Sequence, residues 1–175
     1  MSDLFDIIWA RSGSGGGADS AALSEVVDAG AKNLLLLDAE TETRTNLTFT
    51  RNSDDTITVT GTANSGNTDY TLTDNVRLKP GKYVLSGCPA GGNNNSTYKV
   101  QLYGIGYDTG NGLEFTLTTE KKINLYIRIW GNYTPNNLTF KPMICTKAEW
   151  DASHAYVPYA PTNRELYEMI LAMQG

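Results

Sequence analysis

The stretch Leu47-Thr-Phe-Thr-Arg-Asn-Ser-Asp-Asp-Thr-Ile-Thr-Val-Thr60 decides the fold class. Leu47–Thr50 and Thr56–Thr60 alternate apolar and polar residues with a period of two, and Arg51–Asp55 between them is rich in turn formers. Alternation at that period places every second side chain on one face, so the stretch predicts a β-hairpin with one face buried.

Working outward, similar runs follow at Tyr70–Thr73, Asn75–Leu78, Gly81–Cys88, Tyr98–Tyr103, Gly112–Leu117, Lys122–Trp130 and Asn137–Cys145. Their separators, such as Lys79-Pro-Gly81, Ala90–Ser96, Asp108–Gly112 and Gly131–Asn136, carry Gly, Pro, Asn and Asp. Eight or nine short strands at this spacing predict an all-β, antiparallel sandwich or closed barrel. No separator is long enough for a crossover helix, which excludes a parallel α/β sheet. Within Lys122–Trp130, Ile123, Leu125, Ile127 and Ile129 share one face, and Tyr126, Arg128 and Trp130 share the other.

At 175 residues, 40% of them apolar and 19% charged, the chain suits one domain with appended ends. The net charge of −5 offers no basic footprint, so neither nucleic acid nor an anionic membrane surface is an expected partner. Asp3 and Asp6 interrupt the apolar N-terminus and no basic n-region precedes it, so no secretory signal is read there and synthesis in a cytoplasm is expected. No segment reaches the length of a membrane span. Cys88 and Cys145 lie in apolar strand-like runs and are expected as two buried thiols rather than a disulfide.

Catalytic groupings are sparse. His154 is the single histidine, with no nucleophile elbow and no cysteine at a useful spacing, and it cannot assemble a metal site with two distant cysteines. Glu114, beside Phe115 in a strand, is the one carboxylate placed as a pocket acid would be. Asp108-Thr-Gly-Asn-Gly112 lacks the alternating acids and terminal Glu of a calcium loop. No enzyme, no cofactor and no metal is expected. Aromatic residues and amides remain: Tyr103, Tyr107, Tyr126, Trp130 and Tyr133 with Arg128, beside Asn93, Asn94, Asn95, Asn111 and Asn132. Sugars present apolar C–H faces ringed by hydroxyls, which aromatic platforms and fixed polar groups suit. The same residue types also build subunit interfaces.

The ends differ from the middle. Residues 1–32 carry an apolar tip (Leu4, Phe5, Ile7, Ile8, Trp9), the spacer Ser12–Gly17 and a short helical pattern ending at Gly30. Residues 33–160 are the β-domain. In residues 161–175, Thr162-Asn-Arg-Glu165 fits a capping box, and Leu166, Met169, Ile170 and Met173 form one apolar helical stripe. That stripe needs cover from its own domain or from copies in an oligomer.

Leu78-Lys-Pro-Gly-Lys-Tyr-Val-Leu-Ser-Gly87, Tyr126-Ile-Arg-Ile129, Leu138-Thr-Phe-Lys-Pro-Met-Ile144 and Tyr156-Val-Pro-Tyr159, with the opening Ala31-Lys-Asn-Leu-Leu35, resemble a module of phage and prophage structural proteins from Gram-positive hosts. It is found in tail, baseplate and other virion proteins and is similar to carbohydrate-binding jelly rolls. The likeness spans roughly residues 31–161 and implies an antiparallel jelly-roll β-sandwich in a virion component made in the host cytoplasm. It further implies attachment to other virion proteins through the N-terminal segment, a homo-oligomer for which a trimer is expected, and host cell-surface polysaccharide as ligand. An architectural decoration that binds no glycan is the alternative, and a glycan-degrading enzyme a third.

Overall fold

The computed structural model describes residues 33–161, 166 and 170–173. The expected anchor residues Leu4, Phe5, Ile7, Ile8 and Trp9, the capping box at 162–165 and Met169 lie outside the described residues. The described residues form thirteen strands: β1 (Glu42–Arg44), β2 (Leu47–Arg51), β3 (Ile57–Gly61), β4 (Thr68–Thr73), β5 (Arg77–Leu78), β6 (Gly81–Ser86), β7 (Tyr98–Leu102), β8 (Gly106–Asp108), β9 (Leu113–Leu117), β10 (Lys121–Lys122), β11 (Leu125–Ile129), β12 (Leu138–Phe140) and β13 (Met143–Thr146). A short helix, α1 (Lys147–Ala152), follows them.

All strand pairs are antiparallel, in sheets ordered β1-β2-β3-β12, β4-β11-β7-β8, β13-β6-β9 and β5-β10. The expected hairpin is β2–β3, with Phe49 opposite Val59 and both buried. Its turn closes through Asp55 N–H to the Asn52 carbonyl (3.0 Å) and through the Arg51 guanidinium on Asp55 (2.8 Å). Hydrogen bonds from the Thr56 hydroxyl and amide hold the Asp54 carboxyl below its ordinary range.

Two expected strands are interrupted. Asn137–Cys145 divides into β12 and β13 at Lys141-Pro142, where proline lacks the N–H a ladder needs. Lys141 N–H still reaches the Gly87 carbonyl (2.9 Å), so β12 and β13 pair in turn with β3 and β6. Lys122–Trp130 divides into β10 and β11, with a register shift between Leu125 and Tyr126. Sequence reading missed β1, β8 and α1. The helix starts on its own capping box, in which Thr146 is the N-cap and Glu149 returns to the Thr146 amide (3.0 Å).

One apolar cluster collects the inward residues of every sheet, including Leu47, Phe49, Tyr70, Leu85, Val100, Ile127 and Phe140. Phe49 of β2 stacks on Tyr70 of β4 at 4.4 Å, and Tyr98 of β7 meets Phe140 of β12 edge-on at 5.6 Å, so the two four-stranded sheets face each other. Ahead of β1, Asn33, Leu35, Leu37 and Ala39 alternate inward. Buried Asn33 uses its whole amide: Nδ2 donates to the Val157 carbonyl (3.0 Å) and the Pro142 carbonyl (3.3 Å), and Oδ1 accepts from Leu35 N–H (3.0 Å) and Ile144 N–H (3.2 Å).

Pro161, Leu166 and Ile170–Met173 belong to a second compact unit. Leu166 and Ile170–Met173 are helical there, and Met173 is 79% exposed.

Burial sets an alkaline limit. The Tyr70 phenol is pushed from 10.0 up to about 12 by desolvation, and the Cys88 thiol from 9.0 up to about 12 by desolvation and by Asp108. Raised folded-state values mean that the native state keeps protons the unfolded chain has lost. The stabilisation is complete below the unfolded values and is lost as pH rises through the folded ones. The urea midpoint should therefore hold to about pH 9 and fall progressively toward about pH 12. A midpoint constant over that span would contradict burial of these groups.

Candidate functional site

Of the residues singled out by sequence, the outer face of the β4-β11-β7-β8 sheet brings most together. The strand parity that turns Ile127 and Ile129 inward turns Tyr126, Arg128 and Trp130 outward. Pairing then supplies neighbours that one strand alone does not predict. Asp69 of β4, Arg128 of β11 and Lys99 of β7 form one cross-strand row. Thr71, Tyr126, Gln101 and Tyr107 form the next.

Arg128 meets Asp69 through two parallel bonds, Nε to Oδ1 and Nη2 to Oδ2, each 2.7 Å. That fork raises the guanidinium above its ordinary value and occupies both carboxylate oxygens. The Arg128 guanidinium lies 5.5 Å from the Tyr126 ring and 5.9 Å from the Trp130 ring. Lys99 is only 4% exposed, and its Nζ donates to Asn94 Oδ1 at 2.7 Å. The same ammonium lies 5.0 Å from the Tyr107 ring and 5.9 Å from the Trp130 ring. Burial first, and then Arg128, hold Lys99 below its ordinary value, and burial raises the Tyr126 phenol. Trp130 Nε1 and Gln101 Oε1 are buried and have no hydrogen-bond partner among the described residues.

Tyr107 is partly exposed on this face, and Tyr103 is exposed just past the end of β7. Tyr133 departs from the expected group. The turn that closes with Tyr133 N–H on the Trp130 carbonyl carries its ring to Tyr98, 5.4 Å away, against the inward cluster. Loop residues carry no strand parity, so sequence could not assign Tyr133 a face. Lys99 and Gln101 were missed, although Tyr98-Lys-Val-Gln-Leu102 alternates and so turns both away from the core.

Away from this face, a depression of about 430 Å³ lies over β6 and β13, lined in part by Asp108, Asn111, Lys141, Trp150, His154 and Tyr156. Two of its polar side chains, Asp108 and Tyr156, are engaged in hydrogen bonds. Asp108 accepts from the amides of Cys88 (2.9 Å), Gly110 (2.7 Å) and Gly112 (2.8 Å), and the Tyr156 hydroxyl donates to the Asp54 carbonyl (2.9 Å). His154 stacks on Trp150 at 4.2 Å. Glu114, expected in the position of a pocket acid, has a side chain 65% exposed and pairs with Lys147 at 3.4 Å. Among the described residues no group of three histidines, cysteines or acids is arranged to hold a metal ion.

Comparison with protein-family models, with curated proteins and with solved structures finds no match.

Proposed function

We propose that this chain is a structural component of a phage virion, whose β-domain is a jelly-roll sandwich displayed for attachment to a host-surface glycan. The observation that carries the reading is the outer face on which Tyr107, Tyr126 and Trp130 surround Lys99 and Arg128. Rings offer stacking surface for sugar C–H faces, and the fixed polar groups between them offer orientation. The non-sequential order of the antiparallel strands supports the jelly roll, since β12 returns to β3 and β11 lies between β4 and β7. The resemblance of residues 31–161 to virion modules supports the location. Leu4, Phe5, Ile7, Ile8 and Trp9 are assigned to docking on other virion proteins. Leu166, Met169, Ile170 and Met173 are assigned to a trimer interface, for which the exposure of Leu166 and Met173 speaks.

The test is co-sedimentation of the full chain with purified Gram-positive cell-wall polysaccharide. Wild type should bind, and Tyr107→Ala, which removes a partly exposed ring, should weaken binding about tenfold with an unchanged unfolding midpoint. Absence of wild-type binding, or binding indifferent to both Tyr107→Ala and Trp130→Ala, would leave the architectural reading in its place. The near-complete burial of Tyr126 and Lys99 favours that second reading, because a sealed face can simply be structural. A stable monomer in the same sedimentation runs would remove the trimer.

A further inference from the structure

We infer that the ligand of this outer face is an anionic saccharide, whose carboxylate or phosphate seats against Lys99 Nζ between the Tyr107 and Trp130 rings. The inference rests on the glycan reading and narrows it to a charge class.

The argument begins with an imbalance. The face holds two cations, Lys99 and Arg128, and one carboxylate, Asp69, whose two oxygens are both committed to Arg128. Among the described residues Lys99 has no ion pair, although the chain as a whole carries a net charge of −5. An ammonium has three N–H donors, and a single hydrogen bond is formed here, to the neutral amide of Asn94. Ring faces at 5.0 and 5.9 Å compensate part of the lost hydration, and a buried charge ordinarily requires a counter-charge as well. Desolvation and the neighbouring Arg128 disfavour the charged form of Lys99, the Asp69 carboxylate across Arg128 offsets only part of this, and an arriving anion would relieve the remainder.

The uncommitted polar atoms complete a recognition set. Trp130 Nε1 is a donor and Gln101 Oε1 an acceptor, both buried and without partners among the described residues, and a sugar acid or its hydroxyls could satisfy one of each kind. A neutral sugar would use the rings and leave the ammonium uncompensated, and an amino sugar would be repelled. An anion would have to enter past Tyr107, a residue 41% exposed whose ring centre lies 5.0 Å from Lys99 Nζ.

The experiment presents the full chain to an array of neutral, uronate-bearing and phosphate-bearing glycans at low and high salt. Bound glycans should be acidic and should weaken as salt rises. Lys99→Met, which keeps the buried stem and removes the charge, should cut acidic binding by about tenfold or more, as loss of a charged hydrogen bond does. Lys99→Arg should retain part of that binding, and unfolding midpoints should show both variants folded. Hits confined to neutral glycans, or acidic hits indifferent to Lys99→Met, would overturn the charge assignment and leave the glycan reading standing. No hits at all would overturn both.

Discussion

Replacing Phe49 by alanine is expected to cost the β-domain about 3–5 kcal/mol, read as a lower denaturant midpoint at unchanged slope. Phe49 is fully buried in β2, and its ring stacks on Tyr70 across the two facing sheets at 4.4 Å. Removing it loses the transfer free energy of a whole ring and leaves a cavity, because Tyr70 is held in place by its hydroxyl on the Glu40 carbonyl at 2.8 Å. Against a typical total of about 5–15 kcal/mol, that loss approaches what a domain can bear. Phe49→Leu fills most of the volume and should cost distinctly less. A Phe49→Ala loss below about 1 kcal/mol would mean that the sheets do not meet through this ring.

Gly87→Ala is the second large effect, and it arises from backbone rather than core. Gly87 has φ +111°, and a Cβ added there would lie 1.9 Å from the Lys141 carbonyl oxygen. The obstacle is main chain, in the same stretch whose Lys141 N–H donates to the Gly87 carbonyl. Relief therefore requires separating β6 from the turn between β12 and β13. Left-handed strain, main-chain overlap and loss of the Lys141–Gly87 backbone bond together predict a loss of about 3 kcal/mol or more. Gly66 offers a control, since a Cβ there meets nothing within 4 Å and its φ lies outside the left-handed range. Gly66→Ala should leave the midpoint within about 0.5 kcal/mol. Equal tolerance at the two positions would contradict the close approach at Gly87.

What could be read in advance follows from where the physical signal sits. Alternation in Leu47–Thr60 and in Ile123–Ile129 is local, and it placed both hairpin strands and the inward face of β11. β1 reads Glu-Thr-Arg and has no apolar member, so an edge strand supported only by β2 left no pattern to find. The helix α1 is six residues long and carried one usable sign, the Thr146–Glu149 capping box. The site was half legible for a related reason. Parity showed which way Tyr126, Arg128 and Trp130 point, but their neighbours are set by the order β4-β11-β7-β8, which joins segments distant in sequence. Asp69, Lys99 and Gln101 entered only through that order.

The Asn33 amide joins the segment leading into β1 to the Val157 carbonyl beyond α1, so the polypeptide comes into the β-domain and leaves it at one shared point. A body whose two connections lie side by side can be spliced into a surface loop of another protein without prying that loop open. It can also be re-cut, by linking Asn33 to Val157 through a few residues and opening new ends at an exposed turn such as Asn94-Asn95. Such geometry makes the domain a portable cassette, one that can be moved whole with the face around Lys99 and Arg128 intact.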